Sequence, residues 1–205
     1  HVLGVGVDAG GSIGPHASQC DVLIDFSAPD ALAANLGAAK VTGKPIVVVL
    51  GAGSPVELPW IDDVAAVLYV GLSGQAGASA TVRALTAEIN PSGHLPAPSP
   101  THHEDCPSSG WYPAISRDAI YREGPFVGYR YYETAGVPVR FPFGYGLSYS
   151  TFTYSAATAG ENGIDVMVSN DSDVAGSTVV QLYVRGPQGG VLRPDRGLKG
   201  FAKVS

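Results

Sequence analysis

The run His102-His103-Glu104-Asp105-Cys106 sets potential metal ligands side by side. Neighbours on an extended chain point in opposite directions, so contiguous ligands seldom converge on one ion without a second group at metal-site spacing. That run reads as a solvated loop. Gly4, Gly6 and Gly10 follow an apolar start in the manner of a dinucleotide-binding turn, and Asp25 ends the next strand, where an acid could hold a ribose. Gly14 and Pro15 fall where the helix of such a loop has to begin, which favours a plain glycine-rich turn. Gly71-Leu72-Ser73-Gly74 and Gly146-Leu147-Ser148-Tyr149 each begin a nucleophile elbow without completing it, and no triad is visible. The aromatic clusters Phe126, Tyr129, Tyr131, Tyr132 and Phe141, Phe143, Tyr145, Tyr149 could stack on the apolar C–H face of a pyranose. Their large hydrophobic area favours burial between domains instead.

These residues have to be positioned by two kinds of element. Val2–Val7, Val22–Phe26, Ile46–Leu50 and Ala65–Val70 are short and rich in branched residues, as buried strands are. Ser27-Ala28-Pro29-Asp30 supplies an N-cap, then Pro and an acid in the first turn of a helix. Leu32, Leu36 and Ala39 continue it at helical spacing, and Gly43 ends it. A second helix is expected from about Ala76 to Glu88, stopped by Asn90-Pro91. Alternating strands and helices imply a largely parallel sheet covered by helices. From Asn90 to Arg117 the repeated prolines forbid regular ladders, so a long ordered loop is expected. Beyond Thr151 the pattern turns all-β, with strands at Phe152–Ser155, Ile164–Ser169, Thr178–Val184 and Leu198–Val204.

The chain has 205 residues, 45% of them hydrophobic, enough to bury a core in one large or two small domains. A net charge of -6 and no Lys/Arg run argue against a nucleic-acid partner. No stretch approaches the roughly 20 apolar residues of a spanning helix, so no membrane partner is expected. Cys20 and Cys106 permit one disulfide, but so few cysteines in a chain this long read as free thiols. The chain starts at His1 without a basic n-region and apolar h-region, so that end reads as processed or cut, and no compartment is encoded.

A family comes into view over residues 45–205. The segments Val47–Trp60, Gly71–Gly77 and Asn90–Pro96 resemble, in order, the C-terminal α/β sandwich of glycoside hydrolase family 3. Tyr121–Tyr132 and Phe141–Phe152 look like that family's two signatures leading into its fibronectin type III-like domain, and Val179–Val184 and Leu198–Phe201 are similar to strands of that domain. The resemblance implies β-glucosidases or β-xylosidases that retain configuration, with two carboxyl groups about 5–5.5 Å apart. It also implies a nucleophilic Asp on an N-terminal (β/α) barrel of about 250 residues, which nothing in this chain encodes. The family's proton donor is a Glu on a loop between the strand matching Val22–Phe26 and the following helix. Here that strand passes directly through Ser27-Ala28-Pro29-Asp30, so the loop reads as deleted. Asp25 and Asp30 are the acids nearby, and roles at a strand end and a helix N-terminus suffice for both.

A second resemblance is local. Asp21–Asp30 and Gly43–Val48 are similar to a segment of dihydrodipicolinate reductase, which would imply a nicotinamide cofactor. A non-catalytic structural or carbohydrate-binding module is a third reading.

The expected fold is therefore an α/β sandwich at residues 1–150, followed at 151–205 by a partial immunoglobulin- or fibronectin III-like domain. The expected function is that of a C-terminal fragment of a β-glucosidase-like hydrolase, acting on β-glucosides or β-xylosides in a parent that carries the barrel. No catalytic, cofactor or metal-binding residue is assigned. A sandwich of this type has seven strands, so the four here should leave an edge near Thr178–Val184 and Leu198–Val204 open to self-association, unless Phe141–Phe152 covers it.

Overall fold

The structure, a computed structural model, describes every residue except 1–5, 8–10, 52–56, 115, 162 and 188. It divides into two compact units. One holds the described residues up to Gly51 together with 58–82, and the other holds Glu57 with 83–205.

In the first unit, β1 (Leu23–Asp25), β2 (Ile46–Leu50) and β3 (Ala66–Tyr69) form a parallel sheet in the order β1-β2-β3. Leu23 lies opposite Ile46, and Val48 opposite both Asp25 and Val67. Helix α1 (Pro29–Thr42) connects β1 to β2. Pro29 suits its first turn because the fixed φ is helical and no N–H is wasted. At the other end Gly43 adopts φ 66, and Lys44 N–H reaches back to the Ala39 carbonyl at 3.2 Å, closing the helix as glycine commonly does. Leu36 and Ala39 of α1, Leu23, Ile46 and Ala17 form the core, with Trp60 and Val64 packed against it. Ala17 comes from a 3-10 helix, Gly14–Gln19, where only a glycine-rich turn was expected; Pro15 starts it. Of the strand expected at Val2–Val7, residues 2–5 lie outside the described residues, and Gly6 and Val7 belong to no strand.

Helix α2 (Gly77–Leu85) ends earlier than the expected Glu88. Ala87 takes φ 58, and Glu88 and Ile89 both donate to the Arg83 carbonyl, so the chain has already turned off the helix axis. The proline-rich stretch does carry a short ladder, contrary to expectation: β4 (Ser99–Pro100) pairs antiparallel with β5 (Val139–Phe141). Pro100 is tolerated because the sheet is only two strands wide and bulged there. Helix α3 (Tyr129–Ala135), closed by Gly136 at φ 67, was not anticipated. Two antiparallel hairpins follow, β6 (Phe152–Gly160) with β7 (Gly163–Asn170) and β8 (Thr178–Val184) with β9 (Gly197–Val204).

The second unit is tied together by Asn90. Its Nδ2 donates to Ser150 Oγ at 2.7 Å and to the Ala175 carbonyl at 2.9 Å, while its Oδ1 accepts the Tyr149 N–H at 2.8 Å. Five residues on, Leu95 N–H donates to the Tyr145 carbonyl at 2.7 Å and Gly144 N–H to the Leu95 carbonyl at 2.8 Å. The backbones approach so closely that a Cβ on Gly146 would collide with the Gly93 carbonyl oxygen, and one on Gly176 would lie 2.6 Å from Asn90 Nδ2. Tyr149 Oη closes the arrangement by donating to the Ala84 carbonyl at 2.7 Å.

Hairpin β8–β9 is anchored in the same unit. Tyr129 stacks on Phe143 at 4.9 Å, meets Tyr183 edge-on at 5.6 Å, and accepts the Leu198 N–H on its hydroxyl at 2.8 Å. Arg196 clasps Glu133 through two hydrogen bonds of 2.6 and 2.5 Å and lies 4.8 Å from the Tyr183 ring centre.

Replacing Asn90 by Ala removes three hydrogen bonds and strands partly buried partners, which should cost about 2–4 kcal/mol. Urea unfolding checks this against Ser92→Ala, which loses one exposed bond from Lys203 and should stay within about 0.5 kcal/mol of the parent chain.

Candidate functional site

The connection between β1 and α1 is where the resemblance places a proton donor. It comprises only Phe26, Ser27 and Ala28. Ala28, not Ser27, occupies the N-cap position, and it makes no side-chain cap. Ser27 instead turns back, giving both its N–H and its hydroxyl to Asp25 Oδ1 at 2.8 Å each. Asn35, two turns into α1, donates to Asp25 Oδ2 at 2.7 Å. Asp25 is thus 6% exposed, with both oxygens occupied. It closes the turn from strand to helix.

The incomplete elbow at Gly71–Gly74 is also structural. Ser73 packs against Gly77 at the start of α2 so closely that a Cβ there would overlap the Ser73 hydroxyl. Ser148, in the other partial elbow, donates to the Ser150 carbonyl at 2.8 Å.

The run His102–Cys106 disperses, because each member has its own local task. His103–Asp105 form a 3-10 turn. Asp105 accepts the His102 N–H at 3.0 Å, and His103 N–H donates to Glu57 Oε1. The Glu104 carbonyl accepts the Ser109 hydroxyl at 2.9 Å. Cys106 Sγ accepts the Tyr132 hydroxyl at 3.5 Å, and neither Cys106 nor Cys20 is in a disulfide. Among the described residues no three His, Cys, Asp or Glu side chains gather at one point.

The aromatic clusters separate into distinct roles. Tyr129 stacks on Phe143 and meets Tyr183 edge-on, all three half-buried in the second unit, and Phe141 stacks on Tyr145 at 5.0 Å. Phe126 and Tyr131 instead line a cleft of about 330 Å³ with Trp111, Arg122 and Glu123. The sequence offered no means to separate these roles, because the rings alternate within one short segment.

The sequence profile of the Glycosyl hydrolase family 3 C-terminal domain matches residues 23–149, and that of the fibronectin type III-like domain matches residues 178–205. The chain belongs to glycoside hydrolase family 3. It is 45% identical over 167 residues to thermostable β-glucosidase B of Acetivibrio thermocellus, covering 78% of this chain and 22% of that protein. It is 39% identical over 165 residues to the exo-α-(1→6)-L-arabinopyranosidase of Bifidobacterium breve, covering 78% of this chain and 22% of that protein. The structure superposes on β-glucosidase 3B of Thermotoga neapolitana in complex with glucose with a TM-score of 0.83 and 32% identity, covering 94% of this chain and 31% of that one. The chain therefore spans about a fifth of the length of the curated relatives described, and the architecture is that family's C-terminal α/β sandwich followed by a fibronectin-like β domain. Nothing in these matches supports the reductase-like alternative.

One side chain carries a pH signature. Tyr132 is 6% exposed, and burial, then its hydrogen bond to Cys106 and the nearby charge of Asp105, push its phenol well above the usual value of 10.0. The folded state thus binds this proton more tightly than the unfolded chain, so the contribution is complete below about pH 10 and is lost as pH rises beyond it. Between pH 8 and pH 11 the stability of Tyr132→Phe should fall less than that of the parent chain, by about 1 kcal/mol. Urea midpoints across that range provide the check.

Proposed function

We propose that this chain is the supporting portion of a β-glucosidase-like hydrolase whose nucleophilic carboxylate lies on a (β/α) barrel outside residues 1–205. The whole enzyme cleaves β-linked glucosides or xylosides. The observation that carries this reading is the 45% identity to a thermostable β-glucosidase across 78% of the chain. A relative named for an arabinopyranoside keeps pentopyranosides in the substrate class beside glucosides. On this reading the boundary between sandwich and fibronectin-like domain is assigned between residues 150 and 151, ahead of β6.

Within the chain, the role is structural. A retaining mechanism needs one carboxylate to attack the sugar and a second group to protonate the departing oxygen. Asp25 takes a donor on each oxygen, from Ser27 and from Asn35 of α1, and the short β1–α1 connection holds no other acid before Asp30. The purified chain should therefore leave an aryl β-glucoside at the uncatalysed rate, whereas a polypeptide that joins it to a family 3 barrel with its acid loop should turn the same compound over. Turnover by the chain alone, abolished by Asp25→Asn, would refute the reading.

The same reading extends to association. Hairpin β8–β9 is a two-stranded sheet with Phe201 74% exposed, and strand edges of this kind recruit further strands. Light scattering over a concentration series should show a rising mass that Phe201→Ser suppresses. A mass that stays monomeric throughout contradicts it.

A further inference from the structure

The cleft beside α3 has chemistry that the fold does not use. The Arg122 guanidinium sits 4.0 Å from the centre of the Trp111 ring. A guanidinium held by its face keeps its in-plane N–H donors free for other partners. Among the described residues those donors meet no carboxylate or carbonyl, and the half-buried Glu123 carboxylate likewise has no hydrogen-bond or ion-pair partner. Phe126 and Tyr131 supply apolar ring surface to the same cleft, and Trp111 remains 44% exposed. At about 330 Å³, the space falls at the small end of the range of ligand pockets.

The charges decide what fits. A simple anion meets Glu123 and a simple ammonium meets Arg122, so neither gains from both groups, and a small zwitterion that pairs with both leaves the aromatic wall uncovered. A neutral ring with neighbouring hydroxyls gains from both at once, donating to Glu123 and accepting from Arg122, while its C–H face rests on an aromatic ring. We propose that this cleft is a saccharide-binding site for a neutral pyranose, with Arg122 and Glu123 as its polar ligands and Trp111, Phe126 and Tyr131 as its apolar wall. The choice of β-linked glucose and xylose as probes rests on the function proposed above.

The test is calorimetric titration of the chain with glucose, cellobiose and xylobiose, each up to about 50 mM, far enough to saturate a millimolar site. At least one sugar should bind saturably. Glu123→Gln and Arg122→Ala should each weaken that binding about tenfold or more, a loss near 1.4 kcal/mol. Among the described residues Glu123 has no side-chain partner to lose, so Glu123→Gln should leave the thermal midpoint unmoved, which separates lost binding from lost folding, whereas Arg122→Ala also gives up its contact with the Trp111 ring and should lower the midpoint slightly. The proposal is overturned by the absence of saturable heat with all three sugars, by unchanged affinity in both variants, or by tighter binding of inorganic phosphate than of any sugar. Such a result leaves the hydrolase reading standing, since that reading is decided by turnover in the barrel-bearing polypeptide.

Discussion

The second unit depends on a single carboxamide. Asn90 reaches partners 60 and 85 residues further along the chain, at Ser150 and Ala175, while its oxygen holds the Tyr149 amide. Closing loops of that length costs entropy that rises only slowly with length, so a few well-made bonds at one point can hold them. An amide is the side chain for the task, since it donates twice and accepts at once. Aspartate would bring a charge and no donor, and serine could not span all three partners. The glycines at 146 and 176 follow from the same contact, because the backbones it draws together leave no space for a Cβ.

Once that turn is fixed, the C-terminal hairpins acquire support they could not supply themselves. An isolated two-stranded hairpin is marginal in water. Phe143 precedes the Asn90-bound turn, and Gln181 of β8 donates to the Gly144 carbonyl at 3.2 Å, so the turn and the hairpin are joined by a direct hydrogen bond. Tyr129 then bridges α3 to β9 through the Leu198 amide, and the Arg196–Glu133 pair fixes the edge of that contact. Burial raises the Tyr183 phenol above its usual value, in keeping with a ring enclosed between Tyr129 and Arg196.

What could be read from the sequence was whatever is decided locally. Ile46–Leu50 and Thr178–Val184 coincide with β2 and β8, because a short branched run between breakers leaves the chain few choices. Pro29 and Gly43 marked the two ends of α1 for the same reason. Helix α3 escaped notice because its seven residues include Tyr129, Tyr131 and Tyr132, and a segment so short and so aromatic shows no periodicity. The β4–β5 ladder was hidden by prolines that matter little on a sheet two strands wide. The Asn90 hub was invisible on different grounds: its partners lie far along the chain, and no local pattern marks an asparagine that will be bonded on every side. Resemblance to the family brought the segment Asn90–Pro96 and the signature Phe141–Phe152 forward, yet gave no hint that they bond to each other.

The β1–α1 connection shows how a buried acid can be satisfied by the turn that follows it. A carboxylate buried at a strand end is costly unless its oxygens are satisfied. Here one oxygen takes both donors of Ser27 and the other takes the Asn35 amide from α1, so the acid stabilises the passage from strand to helix. Each of these bonds requires the chain to turn within three residues of Asp25. A longer loop at this point, able to carry an acid toward a substrate, would move Ser27 away and leave the Asp25 carboxylate buried with fewer donors. The short connection and the satisfied aspartate are therefore one solution: the geometry that keeps the connection short also brings the donors that Asp25 needs in the core.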